Sequence, residues 1–197
     1  MSALSLKRCF LAVPLSGEAK RQLSAVQESI EKVAGPEGFR IKWVERQNLH
    51  LTVKFFGDIS EQQIGRLKDM IPERLSSVGS FRFKLTKIGG FPNLKNPNVL
   101  WTGVCDPGSN LARLHEIIDK IAEEIGLARD AKKYIPHLTL GRLKKQPEKV
   151  FHLSPQGTVE GITGLTVHVG EVILYESRLT PTGPVYKSLA RFPLSTG

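Results

Sequence analysis

Cysteine is scarce in this chain, with two in 197 residues, and neither Cys9 nor Cys105 has a C-x-x-C partner. A disulfide scaffold is excluded, and two reduced thiols buried in apolar stretches are expected. No apolar run approaches the roughly 20 residues that cross a bilayer, and the opening "MSALSLKRCFLAVPL" has no small-residue cleavage pattern. The expectation is a cytoplasmic protein with no membrane partner. A serine elbow, a Walker loop and a G-x-G-x-x-G fingerprint are also missing. With no low-complexity tail and no long linker, residues 1–197 are read as one domain.

Acidic residues are in the minority. Asp and Glu number 19 against 28 Lys and Arg, a formal net charge of +9, which concentrates polyanions such as nucleic acid around the protein. Hydrophobic residues make up 40% of the chain, enough for an ordinary buried core.

"RCFLAVPL" (8–15) reads as a buried strand ended by Pro14. Ser16 offers an N-cap to a helix on which Leu23, Val26, Ile30 and Val33 share one stripe, stopped at Gly35-Pro36. "IKWVERQNLHLTVKFFGDI" supplies a short extended piece and a long strand, and Ser60 with Gln63 forms a capping-box pattern for a helix to about Leu75. "FRFKLTKIGGFP" (81–92) alternates as a half-buried strand and then turns at Gly89-Gly90, with "NVLWTGV" (98–104) as its neighbour. Leu111, Leu114, Ile117, Ile118, Ile121 and Ile125 mark a third helix, closed by Gly126. A polar connector holding Pro147 and Pro155 leads to closing strands in "TVHVGEVILYESRL" and "VYKSLARFPL". Strands and helices are mixed without regular βαβ alternation, which predicts an α+β fold.

Two strands carry the same triplet, "NLHLTVKFFGDI" (48–59) and "YIPHLTLGRL" (134–143). Residues i and i+2 of a strand share a face, so His50 stands beside Thr52, and His137 beside Thr139. Leu51, Val53 and Phe55 are expected on the opposite, buried face. One His-x-Thr alone would read as a hydrogen-bonded core histidine; two copies sharing the central Leu are not expected in a shuffled chain.

An imidazole exchanges protons near neutrality, and a threonine hydroxyl donates a hydrogen bond. Facing each other across a cleft, the two pairs could hold a phosphate, one imidazole deprotonating the attacking group and the other protonating the leaving oxygen. A strained 2′,3′-cyclic phosphate suits such a site, and no Asp or Glu within the motifs completes a metal site. Lys54 extends the alternation of the first strand and is a candidate phosphate ligand. Arg142 has the wrong parity unless the strand breaks at Gly141. Arg129, Lys132 and Lys133 are candidates to grip a nucleic-acid backbone, and Tyr134, Trp43 and Phe91 to stack a base. His115, His152 and His168 lack a matching Thr and are read as structural.

With its two H-x-T-x motifs, His50-Leu51-Thr52-Val53 and His137-Leu138-Thr139-Leu140, the chain resembles the 2H phosphoesterase superfamily. It is most similar there to the RNA 2′,3′-cyclic phosphodiesterases, also called 2′-5′ RNA ligases. The resemblance runs through "RCFLAVPL", "GGFPNLKNPNVLWTGV" and "VILYESRLTPTGPVYKSLARFPL" as well as both motifs. It implies an α+β fold of two pseudo-symmetric lobes, mainly antiparallel sheet with outer helices, flanking a central cleft. It further implies hydrolysis of an RNA terminal 2′,3′-cyclic phosphate to a 2′-phosphate without a metal or other cofactor, and 2′-5′ joining by the reverse reaction. In that analogy His50 is the proton donor, His137 the proton acceptor, and Thr52 and Thr139 hold the nonbridging oxygens. The residues alone do not fix the order of the two histidines. Lys54, Arg142 and Tyr134 complete the substrate-binding candidates, and a monomer with no obligate protein partner is expected. Two other readings stay open: a phosphodiesterase for small nucleotide cyclic phosphates, and a non-catalytic RNA- or nucleotide-binding module.

Overall fold

Serine side chains start the first two helices, as their spacing predicts. Ser16 Oγ accepts the Ala19 N–H at 3.1 Å ahead of α1 (Gly17–Ala34). Ser60 and Gln63 exchange both capping-box hydrogen bonds ahead of α2 (Glu61–Leu75). The third helix, α3 (Asn110–Glu124), starts differently: Ser109 is left-handed and makes no cap, and Asp106 instead accepts the Leu111 N–H at 2.7 Å. Each helix buries one stripe, including Leu23 and Ile30 of α1, Leu67 and Ile71 of α2, and Leu114 and Ile118 of α3.

The computed structural model describes residues 5–144, 150–151, 164–181 and 183–195. His152, Pro147 and Pro155, named in the sequence analysis, lie outside them. Among the described residues no helix is long and apolar enough to cross a membrane. Among the described residues nine strands form one sheet: β1 (Lys7–Pro14), β2 (Ile41–Trp43), β3 (His50–Ile59), β4 (Phe81–Phe91), β5 (Val99–Cys105), β6 (His137–Leu143), β7 (Thr166–Val169), β8 (Glu171–Thr180) and β9 (Gly183–Pro193). Their order is β7-β4-β5-β6-β3-β1-β8-β9, with β2 beside β6, and the ladders between these strands are antiparallel.

The sheet is arranged about the β3–β6 junction. Segments β1-α1-β3 and β5-α3-β6 follow the same path on its two sides, and β8 and β9 return from the C-terminal part to complete the first. The fold is α+β and the sheet curls as a half-barrel. One corner is closed where Ser80 N donates to Ser195 O at 2.7 Å, joining the end of β9 to the start of β4.

Three expectations change. Gly89 and Gly90 do not turn the chain: β4 runs through them, and a Cβ on Gly89 would lie 2.3 Å from the Trp101 ring on β5. Glycine is needed there for close approach. "TVHVGEVILYESRL" is two strands, since a bend at Gly170 sends β7 to pair with β4 and β8 to pair with β1. Cys9 is buried as expected, but Cys105 is exposed at the end of β5.

Gly89→Ala should therefore destabilise the protein by about 1–3 kcal/mol, the range for overpacking a close contact. Urea unfolding measures it, and an unchanged midpoint would show that the indole moves aside freely.

Candidate active site

Leu51 and Leu138, the central residues of the two triplets, are register partners across the β3–β6 junction, and both are fully buried. The antiparallel register turns His50 towards Thr139 and Thr52 towards His137 on the opposite face. Theirs is the only pair in the described β3–β6 ladder; farther along, β6 takes β2 as its neighbour. A cavity of about 510 Å³ opens there, lined by all four motif side chains together with Lys42 and Arg142.

Both imidazoles are held by the same local device. His50 Nδ1 bonds the Asn48 carbonyl at 2.6 Å, and His137 Nδ1 bonds the Ile135 carbonyl at 2.7 Å. A carbonyl only accepts, so Nδ1 carries the hydrogen in each ring and Nε2 is the atom that gains or loses a proton. His50 Nε2 lies 3.0 Å from Thr52 Oγ1. Asn48 is fixed in turn, its side-chain amide donating to the Pro184 carbonyl at 2.8 Å. Aromatic rings pack both imidazoles: Phe10 and Tyr186 at 4.9 and 5.3 Å from His50, Phe91 and Trp101 at 5.1 and 6.1 Å from His137. Burial holds the His50 imidazole below its ordinary value against the opposing Asn48 carbonyl, and the Lys20 charge lowers it further.

A β-bulge follows each motif threonine. On β3 the ladder with β1 steps from Thr52 to Lys54, leaving Val53 over; on β6 the ladder with β5 steps from Thr139 to Gly141, leaving Leu140 over. An extra residue reverses the alternation beyond it, so the assignment of Lys54 to the cleft is corrected. Lys54 points behind the sheet, 2% exposed, with Nζ 2.6 Å from Asp119 and 2.8 Å from Asp130. Phe55, expected in the buried support, instead lines the cavity and is 46% exposed. On β6 the same reversal carries Arg142 into the cavity lining, and Gly141 occupies the place of Lys54. A Cβ on Gly141 would lie 2.8 Å from Ile41 and Trp43.

Tyr134 is also corrected. It lies behind the first motif, its hydroxyl donating to the Thr52 carbonyl at 2.9 Å, and burial pushes its pKa up. Its ring stacks on His115 at 4.3 Å, while His115 Nδ1 donates to the Val53 carbonyl at 2.8 Å, as a satisfied structural histidine should. Consecutive carbonyls of the bulge are thus held by two side chains from outside the sheet, one on α3 and one in the segment that leads into β6. Arg129 does not reach out to solvent anions; it pairs with Asp119 at 3.0 Å and Glu123 at 3.7 Å. Lys132, Lys133 and His168 are exposed. Trp43 lines the cavity with its indole N–H on Glu31, and Phe91 packs on His137.

His115, Asp119 and Asp130 bring their ligand atoms within 4.8 Å of one another. The Lys54 ammonium and the Arg129 guanidinium already balance the two carboxylates, so the cluster reads as an ion-pair network behind the cleft. Three contributors escape the sequence reading. Tyr186 is 136 residues from His50, with no local signal linking them, and the Asn48 and Ile135 contacts use carbonyls that every residue carries.

The family model of the LigT like Phosphoesterase matches residues 13–101 and 104–186. The chain is 34% identical to an RNA 2′,3′-cyclic phosphodiesterase of Thermotoga maritima over 92% of either chain, and 32% identical to one of Methanothermobacter thermautotrophicus over 95% of this chain and 98% of the relative. Among solved structures it is similar to a Thermus thermophilus protein (TM-score 0.77, 29% identity, 96% and 98% of the two chains covered). It is also similar to E. coli LigT complexed with 3′-AMP (0.78, 25%, 97% and 99%).

Lys54→Met should cost about 3–5 kcal/mol in urea unfolding, the loss when one partner of a buried ion pair is removed. A change below about 1 kcal/mol would show that Arg129 alone satisfies Asp119. Burial pushes the Asp119 carboxyl up, but bonds from Lys54 and Arg129 outweigh it and hold it at about 2. The stability this contributes is complete above the unfolded carboxyl value of about 3.9 and is lost as the pH falls towards about 2. Asp119→Asn should flatten stability across that window.

Proposed function

The chain belongs to the LigT-like phosphoesterase family, and on that premise we propose that it hydrolyses the 2′,3′-cyclic phosphate at an RNA end to a 2′-phosphate by paired-histidine acid-base catalysis. The observation that carries this reading is the matched pair of imidazoles, each with Nδ1 on a carbonyl and each lining one cavity beside a threonine. Binding alone would not call for two titratable groups held in the same tautomer.

The cyclic phosphate sits between the motifs with its nonbridging oxygens on the Thr52 and Thr139 hydroxyls. His137 Nε2 takes a proton from water as its oxygen bonds to phosphorus. The bond from phosphorus to the 3′ oxygen breaks in line, and His50 Nε2–H delivers its proton to that oxygen. The product is a 2′-phosphate with a free 3′ hydroxyl, and the histidines exchange their protons with solvent. Charge neutralisation falls to the imidazolium, the hydroxyls and Arg142, so the reaction needs no metal. Reversal with a 5′ hydroxyl in place of water makes a 2′-5′ linkage; with water at about 55 M, hydrolysis dominates unless both RNA ends are held.

His50 as acid must be protonated in the complex, whereas burial favours its neutral form in the empty cleft. An anionic phosphate beside Nε2 reverses that preference.

His50→Ala and His137→Ala should each lower kcat roughly 10²- to 10⁴-fold with RNA binding retained, and EDTA should leave the rate unchanged. Turnover near wild type in either variant removes that histidine from the chemistry, and a 3′-phosphate product reverses the regiochemistry. Because His50 loses its proton early in the free enzyme, the high-pH limb of kcat/KM should lie at lower pH than that of kcat. Coincident limbs would take His50 out of the acid role.

A further inference from the structure

The cleft face of β6 continues beyond the motif as a strip of cations. Lys42 and Arg142 are directly opposed register partners on β2 and β6. The ladder continues as Lys144 N donates to Arg40 O at 3.0 Å, setting Arg40 opposite Lys144. All four side chains are exposed, while Ile41 and Leu143 between them pack on the core. Like charges directly opposite one another on a sheet face oppose folding. Here two such pairs lie in succession, roughly 7 Å apart along the strands.

Among the described residues none of the four forms an ion pair. Elsewhere on the sheet Arg191 meets Glu171 and Arg178 meets Glu176. Lys42 and Arg142 line the cavity with the histidines, and Arg40 and Lys144 carry the row outward. The symmetry-related stretch of β3 has no such row: it continues as Phe55, Phe56, Gly57 and Asp58.

We propose that this β2–β6 strip is a phosphate track for single-stranded RNA, so that a chain with its end in the cavity lays its next phosphates across Lys42 and Arg142 and then Arg40 and Lys144. The proposal rests on the phosphodiesterase reading and narrows its substrate class to oligonucleotides over mononucleotides. Opposed cations match a polyanion, whose successive charges take the place of the ion-pair partners that these four lack among the described residues; a single nucleotide would occupy the cavity and leave the outer pair unused.

The test is the double variant Arg40→Gln with Lys144→Gln, neither residue lining the catalytic cavity. For a hexanucleotide ending in a 2′,3′-cyclic phosphate, KM at low salt should rise about tenfold. The slope of log kcat/KM against log salt should weaken by about 1.4, two phosphate contacts at about 0.7 each. For a nucleoside 2′,3′-cyclic phosphate, both constants should stay at wild-type values. Unchanged oligonucleotide kinetics, or an equal loss on both substrates, overturns the track. Fluorescence anisotropy with a hexanucleotide ending in a plain 3′-phosphate reads the strip without turnover. If wild type hydrolyses neither substrate while the variant still weakens this binding, the activity reading fails and the track stands. Equal binding by both proteins removes the track alone.

Discussion

The pairing of Leu51 with Leu138 is the contact on which the site depends. Each leucine is the middle of a His-Leu-Thr triplet, and each is fully buried, at about 1.5–3 kcal/mol of burial free energy per side chain. A slip of one residue at this junction would turn one strand over, moving its leucine to the open face and its histidine and threonine into the core. Hydrophobic burial on one face therefore enforces the register of the polar groups on the other. The carbonyl bonds to Nδ1 then act within that register, fixing which nitrogen of each ring faces the cavity.

The two halves share a backbone plan but not its use. A bulge after Thr52 and another after Thr139 put Lys54 and Gly141 in equivalent places behind the sheet, and Phe55 and Arg142 in equivalent places on the cleft. In the first half the space behind is filled by a charged network, with Lys54, Asp119, Asp130 and Arg129 compensating one another. In the second half it is closed by backbone approaching Ile41 and Trp43, which only glycine permits. The cleft is left with an aromatic ring on one side and a guanidinium on the other, so near-symmetric scaffolding presents an asymmetric surface to a ligand that is itself asymmetric. Tyr134 crosses between the halves, binding the Thr52 carbonyl three residues before His137.

What could be read from the chain was local. Serine caps, helical stripes and the His-Leu-Thr repeat depend on neighbours a few residues away; α1, α2 and β3 appear within a residue or two of their expected bounds, and β6 starts three residues later than expected, at His137. The bulges escaped because they are properties of a ladder: nothing in "HLTVKFF" says that β1 will skip Val53. The expected positions of Lys54 and Phe55 fail for that reason, and that of Tyr134 because its hydroxyl reaches a carbonyl 82 residues away in sequence. Arg142 is legible in the sequence to the extent that Gly141 marks where the alternation can break. Gly89-Gly90 misled because a glycine pair that allows an indole to approach looks the same in sequence as one that turns the chain.

Burial of His50 has a consequence for how the proposed reaction cycles. A ring that is neutral in the empty cleft and protonated beside an anion couples proton uptake to ligand binding, so affinity for phosphate rises as the pH falls through the ring's titration. The cyclic diester carries one negative charge, whereas the monoester product carries between one and two near neutrality, its second ionisation lying near pH 6. Once His50 has taken a proton back from solvent, the product therefore holds the protonated ring more strongly than the substrate does. Turnover requires that hold to be weak, and desolvation of the imidazole supplies the opposing term: the same burial that makes His50 reluctant to be protonated also loosens its grip on the dianion.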